Sequence, residues 1–391
     1  MSTGSYASAS PPSSGEIPMA DTDRYDDVEH KHKRVSQFLQ TQDYNGLILK
    51  QPANFAWFTA GGNCPQISPG ETIAALFISN DARVVVSNNV DSGDLFDRQL
   101  AGLGFLLKER PWHEDRHVLL DDLCRGRKMA SDSGNGSTTN EAARIAGLRL
   151  PLSPFECSRM QLLGAQVAHA LEATARHIEL KQTEAEIAGQ IANRLIKHEV
   201  LPSRIQVIAD GRGKMYRHYT YSDRKLERWC VLSVVGQRWG LHCAATRTVC
   251  WGNPFSDVEA AHQQALMLEG TGIYFSQVGS QLGTTWDKVQ RIYEKIGHPN
   301  EWQLCDQADV IGYQACEVPV APRSEFCLSA GMALHWHPSV GPVQVGDTVL
   351  VGEEGVLSLT PPLDWPTRLI SVKGHMFKLP DMLIREAPNR A

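Results

Sequence analysis

The sequence predicts an α/β domain at the N-terminal end, followed by a larger α+β domain. Between residues 25 and 150, stretches with a helical spacing of apolar residues alternate with short apolar runs that suit buried strands. Prolines at 151 and 154 then interrupt the chain, and two helices, strands, two helices and strands follow in that order. We therefore expect domains at 25–152 and 153–391, since 391 residues with 42% hydrophobic side chains can bury two cores.

The first domain is expected to follow a disordered tail. Residues 1–24 are rich in Ser, Pro and Gly, and they have too few large apolar side chains to offset the entropy lost on ordering. A helix that carries Val35 and Phe38 comes next, and its basic cluster at 31–34 is expected to be solvated surface. The other elements are predicted strands at 46–50, 73–79, 83–88 and 117–120 and a surface loop at 131–139.

The second domain is predicted to begin with a long helix that carries Met160, Leu163 and Val167 on one face. A T-x-x-E capping box at Thr183 and Glu186 predicts the start of the next helix. The later elements are predicted strands at 205–209 and 231–235, a helix capped by Ser256 with Glu259, a helix that begins at Thr285, and strands and turns in the remainder.

Composition excludes several classes of partner. A net charge of −6 and a pI near 6.2 give no attraction for nucleic acid or an anionic membrane, since both require clustered positive charge. Apolar runs are too short to cross a bilayer, so the cytoplasm is the expected location. Nine cysteines without a C-x-x-C pair predict reduced, mostly buried thiols, because a disulfide framework or zinc ribbon would require paired spacing.

Three short motifs stand in a fixed order near the end of the chain. Residues 331–338 spell G-M-A-L-H-W-H-P, residues 345–351 spell V-G-D-T-V-L-V, and residues 357–360 spell L-S-L-T. This order resembles the pita-bread hydrolases (creatinase, prolidase, aminopeptidase P and methionine aminopeptidase), whose motifs are G-M-x-x-x-x-E-P, E-D-T-V-L-V and E-x-L-T. The resemblance implies an α+β pita-bread fold with pseudo-twofold half-units, a curved, mostly antiparallel sheet and helices outside it. It also implies a homodimer.

The resemblance locates five positions where the family's peptidases hold two divalent ions through two aspartates, a histidine and two glutamates. None of the five positions keeps the residue type that the family has there. The five positions fall, in chain order, at Ser233 or Val234, Ala244, Asp309, His337 and Gly346. The resemblance therefore implies a member that lacks the metal ligands and needs no cofactor. Asp309 and His337 could still contact one ion, but a dinuclear site is not expected.

His218 is the candidate catalytic residue. It lies in a segment that resembles the H-Y-T loop of the proline-cleaving members, and creatinase, a relative without metal, uses the histidine of this loop to transfer protons. Imidazole suits this role because it exchanges a proton near neutral pH. The alternative is an ordinary surface histidine. By the same resemblance, the substrate-binding candidates are Arg217, Tyr219, Asp309, Glu317, His335, His337 and Arg247.

His335 and His337 are two apart on a predicted strand, so their side chains are expected on one face and that of Trp336 in the core. The histidine pair either contacts the substrate, with Asp309 and Glu317 nearby, or fills the cavity left by the metal.

Three residues near the expected site have alternative roles. Arg247 either binds substrate or supports the fold, and the loss of its metal-binding neighbours favours support. A cysteine nucleophile at Cys243 or Cys316 would need a lowered pKa and an adjacent base.

Three functions follow from this set of residues. The first is a metal-independent, creatinase-like hydrolase that cleaves a C–N bond of a small nitrogenous or peptide-like substrate. The second is a catalytically inactive binding protein, like the peptidase-like domain of a histone chaperone subunit. The third is an Xaa-Pro peptidase that holds metal through replacement ligands.

Overall fold

A computed structural model of the chain describes residues 21–68, 70–115, 117–134, 136–215 and 217–387. The N-terminal part is built on a mixed six-stranded sheet with the strand order β6-β5-β4-β1-β7-β8. Its elements are α1 (Thr22–Thr41), β1 (Gly46–Leu49), α2 (Pro52–Phe58), β2 (Gln66–Ser68), β3 (Glu71–Thr72), β4 (Ala75–Ile78), β5 (Arg83–Asn88), α3 (Ser92–Asp94, continued by a π-helical turn Leu95–Gln99), β6 (Leu106–Arg110), α4 (His117–Cys124), β7 (Met129–Ser131), β8 (Thr139–Asn140) and α5 (Ala142–Arg149).

Helix α1 begins earlier than the sequence predicts. Asp21 is its N-cap and accepts a hydrogen bond from the backbone N–H of Arg24, and the guanidinium of Arg24 donates to the carbonyl oxygens of Thr59 and Gln99 at 2.9 and 2.6 Å. These bonds fix the first turn, so the predicted tail is too long at its C-terminal end. Residues 1–20 of that predicted tail lie outside the described residues.

The segment 117–120, predicted as a strand, is instead the start of helix α4. Leu120, Leu123 and Cys124 are buried, and this spacing of three and four residues places them on one helical face. The prediction was wrong because the four residues 117–120 are too few to show the helical spacing of the buried side chains.

The C-terminal part contains two helix pairs and two main sheets, with strand orders β21-β11-β10-β9 and β13-β12-β14-β17-β18. Apart from the parallel pair β11–β21, these strands are antiparallel. The elements are α6 (Pro154–His177), α7 (Glu184–Ile196), β9 (Leu201–Ala209), β10 (Trp229–Arg238), β11 (Leu241–Trp251), α8 (Ser256–Phe275), α9 (Leu282–Lys295), β12 (Ala308–Ile311), β13 (Val318–Pro319), β14 (Ala333–Trp336), β15 (Ser339–Val340), β16 (Val343–Gln344), β17 (Asp347–Gly352), β18 (Gly355–Ser358), β19 (Thr367–Val372), β20 (His375–Pro380) and β21 (Leu383–Arg385).

The predicted order of two helices, strands, two helices and strands is confirmed. Each helix pair packs on its own sheet, and one apolar core lies under α6 and α7 while another lies under α8 and α9. The two sheets meet where β11 approaches β17: the hydroxyl of Thr348 donates to the carbonyl oxygen of Ala244 at 2.7 Å. Among the described residues, no helix has the length and apolar character that crossing a membrane requires.

Helix starts agree with the sequence in one case and disagree in two. Thr183 and Glu186 form the predicted capping box at α7. Ser256 is already the first helical residue of α8 and makes no cap, since the N-cap position belongs to Phe255. Helix α9 begins at Leu282, three residues before Thr285, because the N–H of Leu282 is held by the carbonyl of Phe326 at 2.9 Å.

Candidate active site

The candidate site lies where the two C-terminal sheets meet. Ser233 is opposite Thr246, and Val235 is opposite Ala244, so these four side chains share one face of the four-stranded sheet. Val234 points to the other face. Of the two positions considered for the first metal-binding aspartate, Ser233 is therefore the one that shares a face with Ala244.

Gly346, at the position of the family's second glutamate, packs closely against two histidines. Its carbonyl oxygen accepts a hydrogen bond from the N–H of Thr246 at 2.8 Å, which ties the two sheets together. A Cβ atom on Gly346 would lie 3.1 Å from Nε2 of His335 and 3.2 Å from Cβ of His337. The imidazole rings thus occupy the space into which a longer side chain at this position would extend.

His335 of β14 and His337, which directly follows this strand, share one face, as predicted. The rings of His335 and His337 are stacked with their centroids 4.6 Å apart, while Trp336 lies in the core and donates to the hydroxyl of Ser276 at 3.1 Å. Both histidines are buried, with 3% and 2% of their surface exposed. Nε2 of His337 lies 3.2 Å from Oδ2 of Asp309, so the pair is partly connected to a carboxylate.

Two nitrogens of these rings have no hydrogen-bond partner among the described residues: Nε2 of His335 and Nδ1 of His337. Burial lowers the pKa of His335 well below its ordinary value, and the nearby charges of His337 and Arg204 lower it further. His335 is therefore a neutral imidazole at physiological pH. Unpaired polar atoms of this kind are costly to bury, which makes them candidates for contact with a ligand.

His218 lies at the open side of this buried group. Its side chain is 56% exposed, and Nε2 lies 2.8 Å from Oδ1 of Asp306 and 3.2 Å from Sγ of Cys305. A carboxylate at this distance fixes the orientation of the ring. The structure therefore gives His218 a geometry suited to proton transfer.

The two neighbours of His218 are hydrogen-bonded to other groups of the protein. Arg217 donates to the carbonyl oxygen of Gly341 and to Oε1 of Glu301, and the hydroxyl of Tyr219 donates to Oε2 of Glu184 at 2.9 Å. These contacts hold the loop in place. Arg217 and Tyr219 were expected to bind substrate, but these hydrogen bonds engage them with the protein's own residues.

Asp306 was not identified from the sequence, yet it connects the two parts of the site. Burial alone would raise its pKa, but the charge of His337 and hydrogen bonds from Cys305 and His218 lower the pKa of Asp306 below its usual value. It is thus ionised near neutral pH. The carboxylate spacing D-Q-A-D, with Asp309 three residues later, was the available signal.

Two groups of side chains around Asp306 could hold a metal ion. The ligand atoms of Asp306, Asp309 and His337 all lie within 4.8 Å of one another, and the same holds for those of His218, Cys305 and Asp306. One imidazole with two carboxylates is a donor set for a single divalent ion. Of the five family positions, by contrast, only Asp309 offers an anionic oxygen; Ser233, Ala244, His337 and Gly346 do not.

The two cysteines considered as nucleophiles lie in unsuitable surroundings. Burial raises the pKa of Cys243 to about 12, and burial together with a hydrogen bond to Asp309 and the charge of that carboxylate raises the pKa of Cys316 to about 12. Both remain thiols at neutral pH, and a thiol is a poor nucleophile. All nine cysteines, which lie within the described ranges, are free.

Glu317 and Arg247 have structural partners. The guanidinium of Arg149 donates to Oε1 of Glu317 at 2.9 Å and also to the side chain of Asn54 in the N-terminal part, so this pair joins the two parts of the molecule. Arg247 is buried and donates to Asp347 at 2.9 Å, among other contacts. These positions favour support of the fold over substrate binding.

Comparison with known proteins agrees with this architecture. Residues 158–353, half of the chain, match the model of metallopeptidase family M24. The chain belongs to metallopeptidase family M24. This assignment confirms the resemblance to the creatinase, prolidase and aminopeptidase P group that the motifs predict.

The relatives of this M24 protein match more than four fifths of the chain. An Xaa-Pro dipeptidase of Lactobacillus helveticus is 22% identical in an alignment over 366 residues, which covers 84% of this chain and 95% of that protein. The structure of dipeptidase PepE from Mycobacterium ulcerans superposes with a TM-score of 0.72 at 18% identity, over 87% of this chain and 96% of the other. The N-terminal domain of FACT complex subunit SPT16 from Cicer arietinum superposes with a TM-score of 0.70 at 12% identity, over 88% and 97%. At these identities the structural matches support the fold alone.

Proposed function

We propose that this M24 protein is a hydrolase that cleaves a C–N bond of a small, peptide-like substrate without the dinuclear metal centre of its family. The observation that carries the proposal is the pair formed by His218 and Asp306 beside the buried side chains of Asp309 and His337. A half-exposed imidazole with a carboxylate on one nitrogen can exchange protons with a substrate on the other. The similarity to an Xaa-Pro dipeptidase supports a peptide-like substrate.

The donor set at the five family positions does not fit two divalent ions. Such a pair needs several bridging and terminal carboxylates, and Ser233, Ala244 and Gly346 offer none. The packing of Gly346 against His335 adds a steric reason, because a Cβ atom at this position would lie only 3.1 Å from Nε2 of His335, so a glutamate would require its neighbours to shift. No step of the proposed reaction therefore passes through such a centre.

The reaction can be written with this chain's own residues. His218 takes a proton from water as the water oxygen bonds to the carbon of the scissile C–N bond. The resulting imidazolium, stabilised by Asp306, then gives that proton to the departing nitrogen, and the C–N bond breaks. Asp309 and His337, which are hydrogen-bonded to each other, lie where they can orient a nitrogen group of the substrate.

Replacement of His218 tests the proposal. H218A should lower kcat about 100-fold or more, because loss of a general acid–base commonly costs a factor of about 10² to 10⁴. The measurement is hydrolysis of a panel of Xaa-Pro dipeptides and small N-substituted amino acids by chelator-treated protein. H198A is the matched control, since His198 is exposed on the surface. Activity that appears only after addition of Mn²⁺, Co²⁺ or Zn²⁺ would refute metal independence.

The same assay separates the two other candidate functions. Metal-dependent activity that D306N abolishes would favour a single ion at Asp306, Asp309 and His337, whose donor atoms are suitably close. Binding of a ligand without turnover of any substrate would favour a binding protein. The expected homodimer is likewise part of this proposal, and sedimentation analysis of the purified protein tests it.

A further inference from the structure

Three side chains of different chemistry meet at the open edge of the site. Nε2 of His218 lies 3.2 Å from Sγ of Cys305 and 2.8 Å from Oδ1 of Asp306, and Sγ of Cys305 donates to the same carboxylate oxygen at 3.1 Å. The trio thus offers one imidazole nitrogen, one sulfur and one carboxylate oxygen to a common point. The proposed reaction uses the imidazole and the carboxylate and gives the sulfur no role.

The trio differs from the metal positions of the family in place and in chemistry. His218 lies in the loop between β9 and β10, and Cys305 and Asp306 lie just before β12. None of the three falls at a position where the family resemblance implies a metal ligand, and the family's ligands include no sulfur. An ion bound to the trio would therefore occupy a separate site with its own donor set.

The distances within the trio are close to those that a tetrahedral zinc ion requires. Zinc binds sulfur at about 2.3 Å and nitrogen or oxygen at about 2.0 to 2.2 Å, so its ligand atoms stand about 3.3 to 3.6 Å apart. The three atoms would have to separate by only about 0.5 Å or less to reach this geometry. The side chains of His218 and Asp306 are 56% and 41% exposed, so they have room to adjust and water has access as a fourth ligand.

An ion pair holds the two segments of the trio beside each other. Arg217, which precedes His218, donates to Oε1 of Glu301. Glu301 begins the 3₁₀ turn Glu301–Leu304, and Cys305 follows this turn directly. The loop that carries the imidazole is thereby fixed next to the segment that carries the sulfur and the carboxylate. Such preorganisation lowers the cost of assembling a binding site.

Metal binding would change the ionisation of Cys305. Burial and the charge of Asp306 raise the pKa of this thiol in the free protein. A divalent cation reverses the local field, and the thiol proton leaves to solvent as the sulfur binds the ion. Thiolate and imidazole ligands together favour zinc over magnesium and calcium, which take oxygen ligands.

We infer that His218, Cys305 and Asp306 bind a single zinc ion and that this ion prevents His218 from acting as a base. An imidazole whose Nε2 binds zinc carries its proton on Nδ1, so neither nitrogen has a free lone pair to accept a proton. Zinc binding and proton transfer therefore exclude each other at this side chain. The effect on turnover rests on the proposed function, whereas binding of the ion does not.

Cobalt(II), a coloured substitute for zinc, tests the site without any substrate. One equivalent of Co²⁺ added to chelator-treated protein should produce a sulfur-to-cobalt charge-transfer band in the near ultraviolet, and Zn²⁺ should displace it. C305S should lose the band and bind Zn²⁺ about 100-fold or more weakly in competition with a coloured chelator, since even residues that only support metal ligands contribute factors of about 10 to 100. C327S is the matched control and should keep the band, because Cys327 is an exposed thiol outside the trio. Absence of the band, or a band that C305S retains, would overturn the site.

Turnover measurements keep this inference separate from the proposed function. In chelator-treated wild type, saturating Zn²⁺ should lower the rate about 100-fold, as expected for loss of a general base, and a chelator should restore it. At the same Zn²⁺ concentration, the ratio of rates with and without the ion should stay near one in C305S and fall in C327S as in wild type. Zinc bound to the trio in a protein that turns over no substrate would sink the proposed function and leave the site intact. Zinc binding with unchanged or increased turnover would overturn the block of His218.

Discussion

Glu269 is fully buried near a single cation that several carboxyl groups share. Arg247 donates to Glu172 at 3.3 Å and to Asp347 at 2.9 Å, and Glu269 lies beside them with no hydrogen bond from a side chain among the described residues. Burial raises the pKa of Glu269 well above its ordinary value, and the charge of Asp347 raises it further. One guanidinium cannot neutralise three carboxylates in an apolar interior, so Glu269 holds a proton.

Stability should therefore depend on pH through Glu269. Its raised folded-state pKa means that the folded protein keeps a proton that the unfolded chain releases above about pH 4.3. Stability consequently falls as pH rises from that value toward the folded pKa. E269Q cannot titrate, so its stability relative to wild type should increase as pH rises above about pH 4.3, by about 1.4 kcal/mol for each pH unit up to the folded-state pKa of Glu269. Urea unfolding of both proteins over a series of pH values measures this, and a difference that does not change with pH would contradict it.

At the scale of the elements, two S-x-x-E patterns show that a capping sequence does not always form capping hydrogen bonds. The N-terminus of α6 has a capping box in which Glu156 N–H donates to Ser153 Oγ at 3.2 Å and Ser153 N–H donates to Glu156 Oε2 at 2.8 Å. The pattern S-x-x-E also occurs at Ser256 and Glu259, where no such bonds form. The difference arises because Ser153 has extended backbone angles, whereas Ser256 is already inside the helix.

The two serines make a matched pair for mutation. S153A should destabilise the protein by about 1 kcal/mol, the usual cost of losing an N-cap side chain. S256A should change stability by less than about 0.5 kcal/mol, as expected for an exposed position without such a contact. Thermal unfolding of both variants measures the contrast, and equal losses would show that the capping geometry is unimportant.

At the scale of the whole molecule, ion pairs join the N-terminal part to the C-terminal part. Lys31 of α1 lies 2.5 Å from Asp27 and 2.6 Å from Glu156 of α6, and all three side chains are buried. The sequence places Lys31 in a basic cluster that was expected to be solvated. That expectation was wrong because the helix turns Lys31 toward α6, which only the tertiary structure reveals.

Loss of this lysine should weaken the whole structure. K31M would leave two buried carboxylates without a cation, and removal of one partner from a buried pair typically costs about 3–5 kcal/mol. K33M is the control, since Lys33 is exposed two residues along the same helix. Chemical denaturation measures both. If K31M loses no more stability than K33M, the ion pairs of Lys31 do not stabilise the folded protein.

The sequence predicts features that depend on local interactions better than features that depend on contacts between distant segments. Motif order and helical periodicity predict the fold and bring attention to His218, His335 and His337, because these signals are local. Asp306 was missed because its place beside His218 and His337 depends on how separate segments of the chain pack together. The partners of Arg217 and Glu317 were missed for the same reason: an isolated charge in a motif does not indicate which distant group neutralises it.

Gly346 and His335 are separated in the sequence but pack against each other in the structure, so a larger residue at position 346 would affect the histidine. A Cβ atom at position 346 would lie 3.0 Å from the carbonyl oxygen of Trp336, 3.1 Å from Nε2 of His335 and 3.2 Å from Cβ of His337, so these neighbours would have to shift to admit it. Restoring a glutamate at this position would therefore require a change in the packing of both histidines as well.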